Sequence, residues 1–200
     1  MRINLPRLVR GLLSSVSVAM CLLAMSYSLQ AQNPRVLFET TAGDIEIELF
    51  QKEAPITVEN FLKYAKKGHY DGTIFHRIIP GFVVQGGGLE KNMKERPTDP
   101  PIKNEAKNGL KNEKMTLSMA RTMIPDSATS QFYINLKYNQ SLDRKYAQDG
   151  VGYCVFGKVV KGEDVVEKMA TVRTATVSGH QDVPIDPITL IKATIMDVDK

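Results

Sequence analysis

The stretch from Phe75 to Gly88, FHRIIPGFVVQGGG, sets Arg77 and Gln85 among Ile78, Ile79, Phe82, Val83 and Val84, residues whose types belong in a strand or a core. It contains no Asp or Glu to pair with the guanidinium. A permanent cation and a primary amide on an otherwise apolar stretch are hydrogen-bonding groups whose partner comes from outside the chain. The plainer alternative is an arginine that lays its stem over apolar surface and sends its head to water. The remaining candidates carry less chemistry. His76 has the type of a general base. His69 and His180 stand beside no carboxylate cluster or cysteine pair, so no metal site is read. Gly86-Gly87-Gly88 lacks the Lys-Ser/Thr of a phosphate loop and reads as a turn that needs positive φ. Ser118, His76 and Asp126 fall in no hydrolase motif. Asn139-Gln140-Ser141 is formally a glycosylation sequon.

The elements that must hold Arg77 and Gln85 are mostly strands. Val36, Phe38 and Thr40, then Ile45, Ile47 and Leu49 after a turn at Thr41–Asp44, alternate as a hairpin with one buried face. Val58, Phe61, Leu62 and Ala65 recur at helical spacing after Pro55, with Gly68 as a stop. Strands are expected over Thr73–Ile79 and Phe82–Gln85 around a Pro80-Gly81 turn. Further strands are expected over Met115–Ala120, Gln131–Leu136, Gly152–Val160 and Ile188–Val198, with a short helix over Asp164–Ala170. The connection from Leu89 to Glu113 is long and polar, as functional rims and flexible linkers are. Many strands and two helices, without repeats, favour a closed barrel that leaves no sheet edge.

Residues 1–31 are set apart from this fold. Arg2, Arg7 and Arg10 precede an uncharged apolar run from Gly11 to about Tyr27, followed by small and polar residues through Ala31, which is the layout of a secretory signal peptide. The run is interrupted by Ser14, Ser15 and Ser17 and falls short of the roughly 20 apolar residues of a spanning helix. No stable membrane insertion is therefore expected. Lipoprotein anchoring through Cys21 is disfavoured because Met20, not a small residue, precedes it. The expected destination is the periplasm or the medium, with residues 32–200 as one domain. The formal charge of +4 falls to +1 for those residues, since the leader holds three arginines and no acid. That removes the electrostatic case for nucleic-acid binding. Cys154 is then the only cysteine, so no internal disulfide forms.

Three ordered segments carry a family resemblance: FHRIIPGFVVQGGG, LSMARTMIPDSATSQFYINL from Leu117, and YCVFGKVVKGEDVVEKM from Tyr153. Together they resemble cyclophilin-type peptidyl-prolyl cis-trans isomerases, most closely the bacterial periplasmic kind, from about Arg35 to Val198. The resemblance implies a mainly β fold, a closed eight-stranded antiparallel barrel capped by two α-helices, with the substrate groove on its outer face. It implies that Arg77 and Gln85 are catalytic, Arg77 reaching the proline nitrogen and Gln85 a substrate carbonyl. Phe82, Val83, Tyr133 and Leu142 would form the slot for the proline ring. Ala120, Arg121 and Gln131 would align the peptide, and Tyr153 would stand where many relatives carry histidine. His76 becomes a hydrogen-bonded structural residue, because isomerisation moves no proton between side chains. Neither cofactor nor metal is implied, and the partners would be proline-containing unfolded or partly folded exported polypeptides, bound by a monomer. The alternative is a non-catalytic peptide-binding chaperone module using the same groove. Ser141 replaces a tryptophan of many eukaryotic relatives, which predicts weak cyclosporin binding.

Overall fold

The computed structural model describes residues 32–196; the leader, Cys21 and the last four residues lie outside them. Among these residues twelve strand segments, two α-helices and two short 3-10 turns form. Strands β1 (Arg35–Thr40) and β2 (Gly43–Leu49) are the expected hairpin, with Val36, Phe38, Ile45 and Ile47 fully buried. Helix α1 (Pro55–Lys66) follows. Then come β3 (Thr73–Ile74), β4 (Arg77–Ile79), β5 (Val83–Gly86) and β6 (Leu89–Glu90). β7 (Thr116–Met119), β8 (Phe132–Asn135) and β9 (Val155–Lys161) precede helix α2 (Glu163–Met169). β10 (Thr174–Val177), β11 (His180–Pro184) and β12 (Thr189–Met196) are the last of the described elements.

The ten-stranded sheet runs β4-β5-β8-β7-β9-β2-β1-β12-β3-β6, every pairing antiparallel. Its two ends belong to one hairpin. β4 pairs β5 through Arg77↔Gln85 and Ile79↔Val83, and β3 pairs β6 through Thr73↔Glu90 and Ile74↔Leu89. The hairpin thus joins β8 at one end of the sheet to β12 at the other and closes the ring. Counting each bent strand once, the ten segments make the eight staves of the expected barrel. The single strand expected over Thr73–Ile79 is corrected: it breaks at Phe75-His76, opposite Gly87-Gly88, because a ring this small must bend where it closes. The small sheet β10–β11 was not expected. Its Thr174–Val177 segment is largely exposed and offers no alternating apolar face to read.

Aromatic side chains fill the barrel. Phe61 of α1 lies 6.1 Å from Phe38, 5.0 Å from Tyr70, 5.7 Å from Phe132 and 5.2 Å from Phe156, ring centre to ring centre. Val58, Tyr64 and Ala65 share its buried face, while Leu62 is only half-buried. The long polar connection is no flexible linker. Glu105 caps α1 from outside, its carboxylate accepting from the amides of Ile56 (3.1 Å) and Thr57 (2.8 Å) and from Thr57 Oγ1 (2.7 Å). Earlier in the connection, Asp99 accepts from Lys67 at the C-cap and from Lys63 in the last turn, and these two ammonium groups, Lys67 first, pull its carboxyl down to about 2. A carboxylate at the helix start and cations at its end both suit the helix dipole.

Gly87, at the bend, has φ +85°, and a Cβ there would lie 2.8 Å from the Phe132 ring. Gly81 in the hairpin turn has φ +68° but open space around it. Gly81→Ala should therefore cost about 1–2 kcal/mol of left-handed strain. Gly87→Ala adds overpacking of about 1–3 kcal/mol to the same strain. Urea unfolding of both variants checks the order; equal midpoints would refute it.

Candidate active site

Strand alternation decides which side chains of the closing hairpin leave the core. Ile78 and Val84 point inward and are fully buried, so Arg77 and Gln85, paired in register, share the outer face and are half-buried. Arg77 Nη1 donates to Gln85 Oε1 at 3.3 Å, and Gln85 Nε2 donates to Gln131 Oε1 at 3.0 Å. Among the described residues no carboxylate pairs with Arg77. The guanidinium is held in place through neutral amides and keeps its charge uncompensated.

Arg77 and Gln85 open onto a cavity of about 230 Å3 lined also by Phe82, Val83, Ala120, Arg121, Tyr133, Leu142 and Tyr153. Nine of the ten residues singled out in the sequence thus meet at one place. The tenth, Gln131, stands behind Gln85 as its hydrogen-bond acceptor and borders a neighbouring recess with His76 and His180. Tyr133 faces Gln85 across the β5–β8 pairing, and its ring meets Tyr153 edge-on at 6.0 Å. The Arg121 guanidinium lies 4.4 Å from the Tyr153 ring centre. The side chain of Arg121 thus builds part of the wall. It donates to Gly152 O at 3.1 Å and pairs with Asp149, whose other oxygen accepts from the amides of Val151 and Gly152. The arginine first, then these N–H groups, pull the Asp149 carboxyl down to about 2.

Sequence reasoning missed what stands behind the slot. Asn112, fully buried, accepts through Oδ1 from Tyr133 Oη (3.0 Å) and Ser118 Oγ (2.8 Å), and donates both its amide N–H and its Nδ2 to Asp143 Oδ1. Tyr138 Oη donates to the other Asp143 oxygen at 2.8 Å. Asn139 Nδ2 donates to Asn135 Oδ1 and to the Phe82 carbonyl. These bonds tie the loop that carries Leu142 to the strand that carries Tyr133 and to the hairpin turn at Phe82. The slot is therefore not purely apolar at Tyr133, whose hydroxyl is spoken for; burial also raises it far above a phenol's usual range. Asn139 is buried with its amide engaged, which closes off the sequon. The Asn and Asp residues of these loops gave no periodic signal, so only the folded chain reveals their convergence.

A profile of the family described as cyclophilin type peptidyl-prolyl cis-trans isomerase/CLD matches residues 35–195. The chain belongs to the cyclophilin family. A peptidyl-prolyl cis-trans isomerase of Acinetobacter baylyi is 53% identical over 167 residues, covering 84% of this chain and 88% of the relative. Peptidyl-prolyl cis-trans isomerase A of Dickeya dadantii is 49% identical, over 94% of this chain and 98% of its own. Among solved structures, a Cryptosporidium parvum cyclophilin type peptidyl-prolyl cis-trans isomerase determined with the dipeptide Ala-Pro superposes with a TM-score of 0.67 at 27% identity, over 81% of this chain and 98% of that one. The chain is thus a cyclophilin enzyme, a peptidyl-prolyl cis-trans isomerase, built on the mainly β, two-helix fold of the family. Ser141, where many eukaryotic cyclophilins carry tryptophan, is exposed and lines no part of the cavity.

His76 is buried, as befits a structural histidine; the Ile74 backbone bonds its ring, while its Nδ1 has no hydrogen-bond partner. Burial lowers its pKa to about 4, with His180 and Arg77 acting in the same direction. The unfolded chain therefore binds a proton at higher pH than the folded one. The stability is complete above about 6.5 and is lost as pH falls from there to about 4, a window worth roughly 3 kcal/mol. His76→Gln should flatten the dependence of unfolding free energy on pH across this window, read by urea titration at several pH values. An unchanged slope would remove His76 as its source.

Proposed function

We propose that this cyclophilin speeds X-Pro isomerisation in exported polypeptides, with Arg77 as the group that stabilises the twisted bond. Rotating an amide breaks no covalent bond; the barrier of about 18–20 kcal/mol is the resonance lost on twisting. As resonance is lost the proline nitrogen gains a lone pair that accepts a hydrogen bond, an acceptor the planar ground state lacks. A charged donor fixed beside that nitrogen therefore binds the transition state better than the substrate. A hundred-thousandfold acceleration needs only about 7 kcal/mol of such preference. Gln85 would donate to a substrate carbonyl, Phe82, Val83, Tyr133 and Leu142 would receive the ring, and Ala120, Arg121, Gln131 and Tyr153 would align the flanking peptide.

The observation that carries this reading is the uncompensated Arg77 guanidinium, bonded to Gln85 at the mouth of a cavity of about 230 Å3 that is walled by Phe82, Val83, Tyr133 and Leu142. The Ala-Pro dipeptide present with the Cryptosporidium relative supports the substrate class. Export is supported by the layout of residues 1–31 and by the first described strand starting at Arg35, so that cleavage near Ala31 would spare every described element. We further propose that the mature protein works as a monomer in the periplasm or medium.

In a protease-coupled assay on a short X-Pro peptide, Arg77→Ala should lower kcat/KM by about a hundredfold or more, the scale on which a preorganised donor acts. Arg77→Lys should recover little, since a point charge lacks the planar fork. Equal turnover of wild type and Arg77→Ala, with matching circular dichroism, would sink the mechanism. Turnover absent from both would favour the binding-module alternative. A separate check is intact mass of the protein from its host, expected to begin near Gln32; retention of Met1–Ala31 in membranes, or a lipid on Cys21, would refute simple export.

A further inference from the structure

On the far side of the loop that carries Leu142, a recess of about 750 Å3 gathers Lys107, Lys111, Arg144 and Lys145. None of the four pairs with a carboxylate among the described residues. Residues 32–200 carry a formal charge of only +1, so this concentration is local and does not follow from a basic composition. The carboxylate lining the recess, Asp143, is buried and turned to Asn112 and Tyr138, and pairs with none of the four cations, so its single charge leaves an excess of positive charge there. Two tyrosines, Tyr138 and Tyr146, stand 42% and 48% exposed in the same wall, and the Lys145 ammonium lies 5.2 Å from the Tyr146 ring centre.

We propose that this recess docks an acidic segment of polypeptide, its carboxylates meeting the four cations and its stem lying on the tyrosine rings. Convergent unpaired cations attract carboxylates and raise their encounter rate. A confined recess on a nearly neutral domain fits a few side-chain carboxylates. It does not offer the extended stripe that a phosphate backbone follows, nor the flat cationic face that a lipid surface needs. Leu142 and Asp143 are consecutive, so the recess and the proline groove share one loop. Naming a client as the source of the acidic segment rests on the isomerase reading; the docking itself does not.

The test is fluorescence anisotropy of the purified protein with a labelled, proline-free peptide rich in glutamate, beside a glutamine-substituted control, a single-stranded oligonucleotide and phosphatidylglycerol vesicles. The glutamate peptide should bind best and weaken as salt rises. The triple variant Lys107→Gln, Lys111→Gln, Lys145→Gln should bind it about tenfold more weakly, while turning over a short X-Pro peptide as the wild type does. Because these side chains are exposed, circular dichroism should be unchanged, and the matching Lys→Arg triple variant should retain binding. Equal affinity for the glutamate and glutamine peptides, or undiminished binding by the Gln triple variant, would overturn the proposal. Tighter binding of the oligonucleotide or the vesicles would overturn it in favour of that polyanion. Since the peptide holds no proline, loss of isomerase activity alone would leave docking intact, and the two readings fail separately.

Discussion

Ring closure by one hairpin is the constraint on which this molecule turns. A barrel of eight staves has no free edge only if its first and last strands find each other, and here the Thr73–Glu90 hairpin spans that gap by pairing at both ends with different neighbours. To do so both of its strands must bend, at Phe75-His76 and at Gly86-Gly87-Gly88. The glycines answer two separate needs. Gly87 supplies a left-handed backbone, whereas Cβ atoms at Gly86 and Gly88 would run into Phe75 and Gln131. Arg77 and Gln85 directly adjoin the bend, so the geometry that closes the core also fixes the spacing and outward direction of the two groups that face the groove.

The groove is held by a different kind of force from the core. Inside, aromatic rings packed around Phe61 contribute through area removed from water, which is insensitive to direction. Behind the groove, Asn112 and Asp143 meet Tyr133, Ser118 and Tyr138 through bonds that are directional, and whose burial makes any unmade bond costly. That asymmetry gives the loop around Leu142 one position relative to β8. On the opposite wall the Arg121–Asp149 pair, with Asp149 also accepting two backbone amides, does the same for Tyr153.

The parts legible in the sequence were those with a period or a long ordered motif. The β1–β2 hairpin and α1 declare themselves by alternation and by helical spacing, and Arg77 with Gln85 by being polar where their neighbours are not. Their assignment to one groove came from motif resemblance, because Tyr133, Leu142 and Tyr153 lie too far along the chain for any local pattern to bring them to Arg77. What stayed illegible has a common physical cause. The break at Phe75-His76 follows from ring closure, a property of the whole sheet. Glu105 as the cap of α1 acts across 48 or 49 positions, and Asn112 as a hub gathers partners from 6 to 31 positions away. Polar residues in loops look alike in sequence whether they face water or one another.

Amide rotation transfers no proton, so this site needs no acid or base poised near neutral pH. The titratable groups close to the groove are accordingly held far from their working range: His76 is kept neutral by burial, Asp149 ionised by Arg121, and the Tyr133 hydroxyl protonated by burial. What the reaction does need is a donor whose charge never changes and whose position does not relax when the substrate twists. In the proposed mechanism Arg77, on a strand of the closed barrel, meets both demands, since a guanidinium is a permanent donor and its backbone is fixed by the same ladder that closes the sheet. Directing the guanidinium with an amide rather than a carboxylate follows from the same requirement. A carboxylate at the place of Gln85 would orient the arginine more firmly, yet in the proposed mechanism it would neutralise in the ground state the charge offered to the proline nitrogen as it twists.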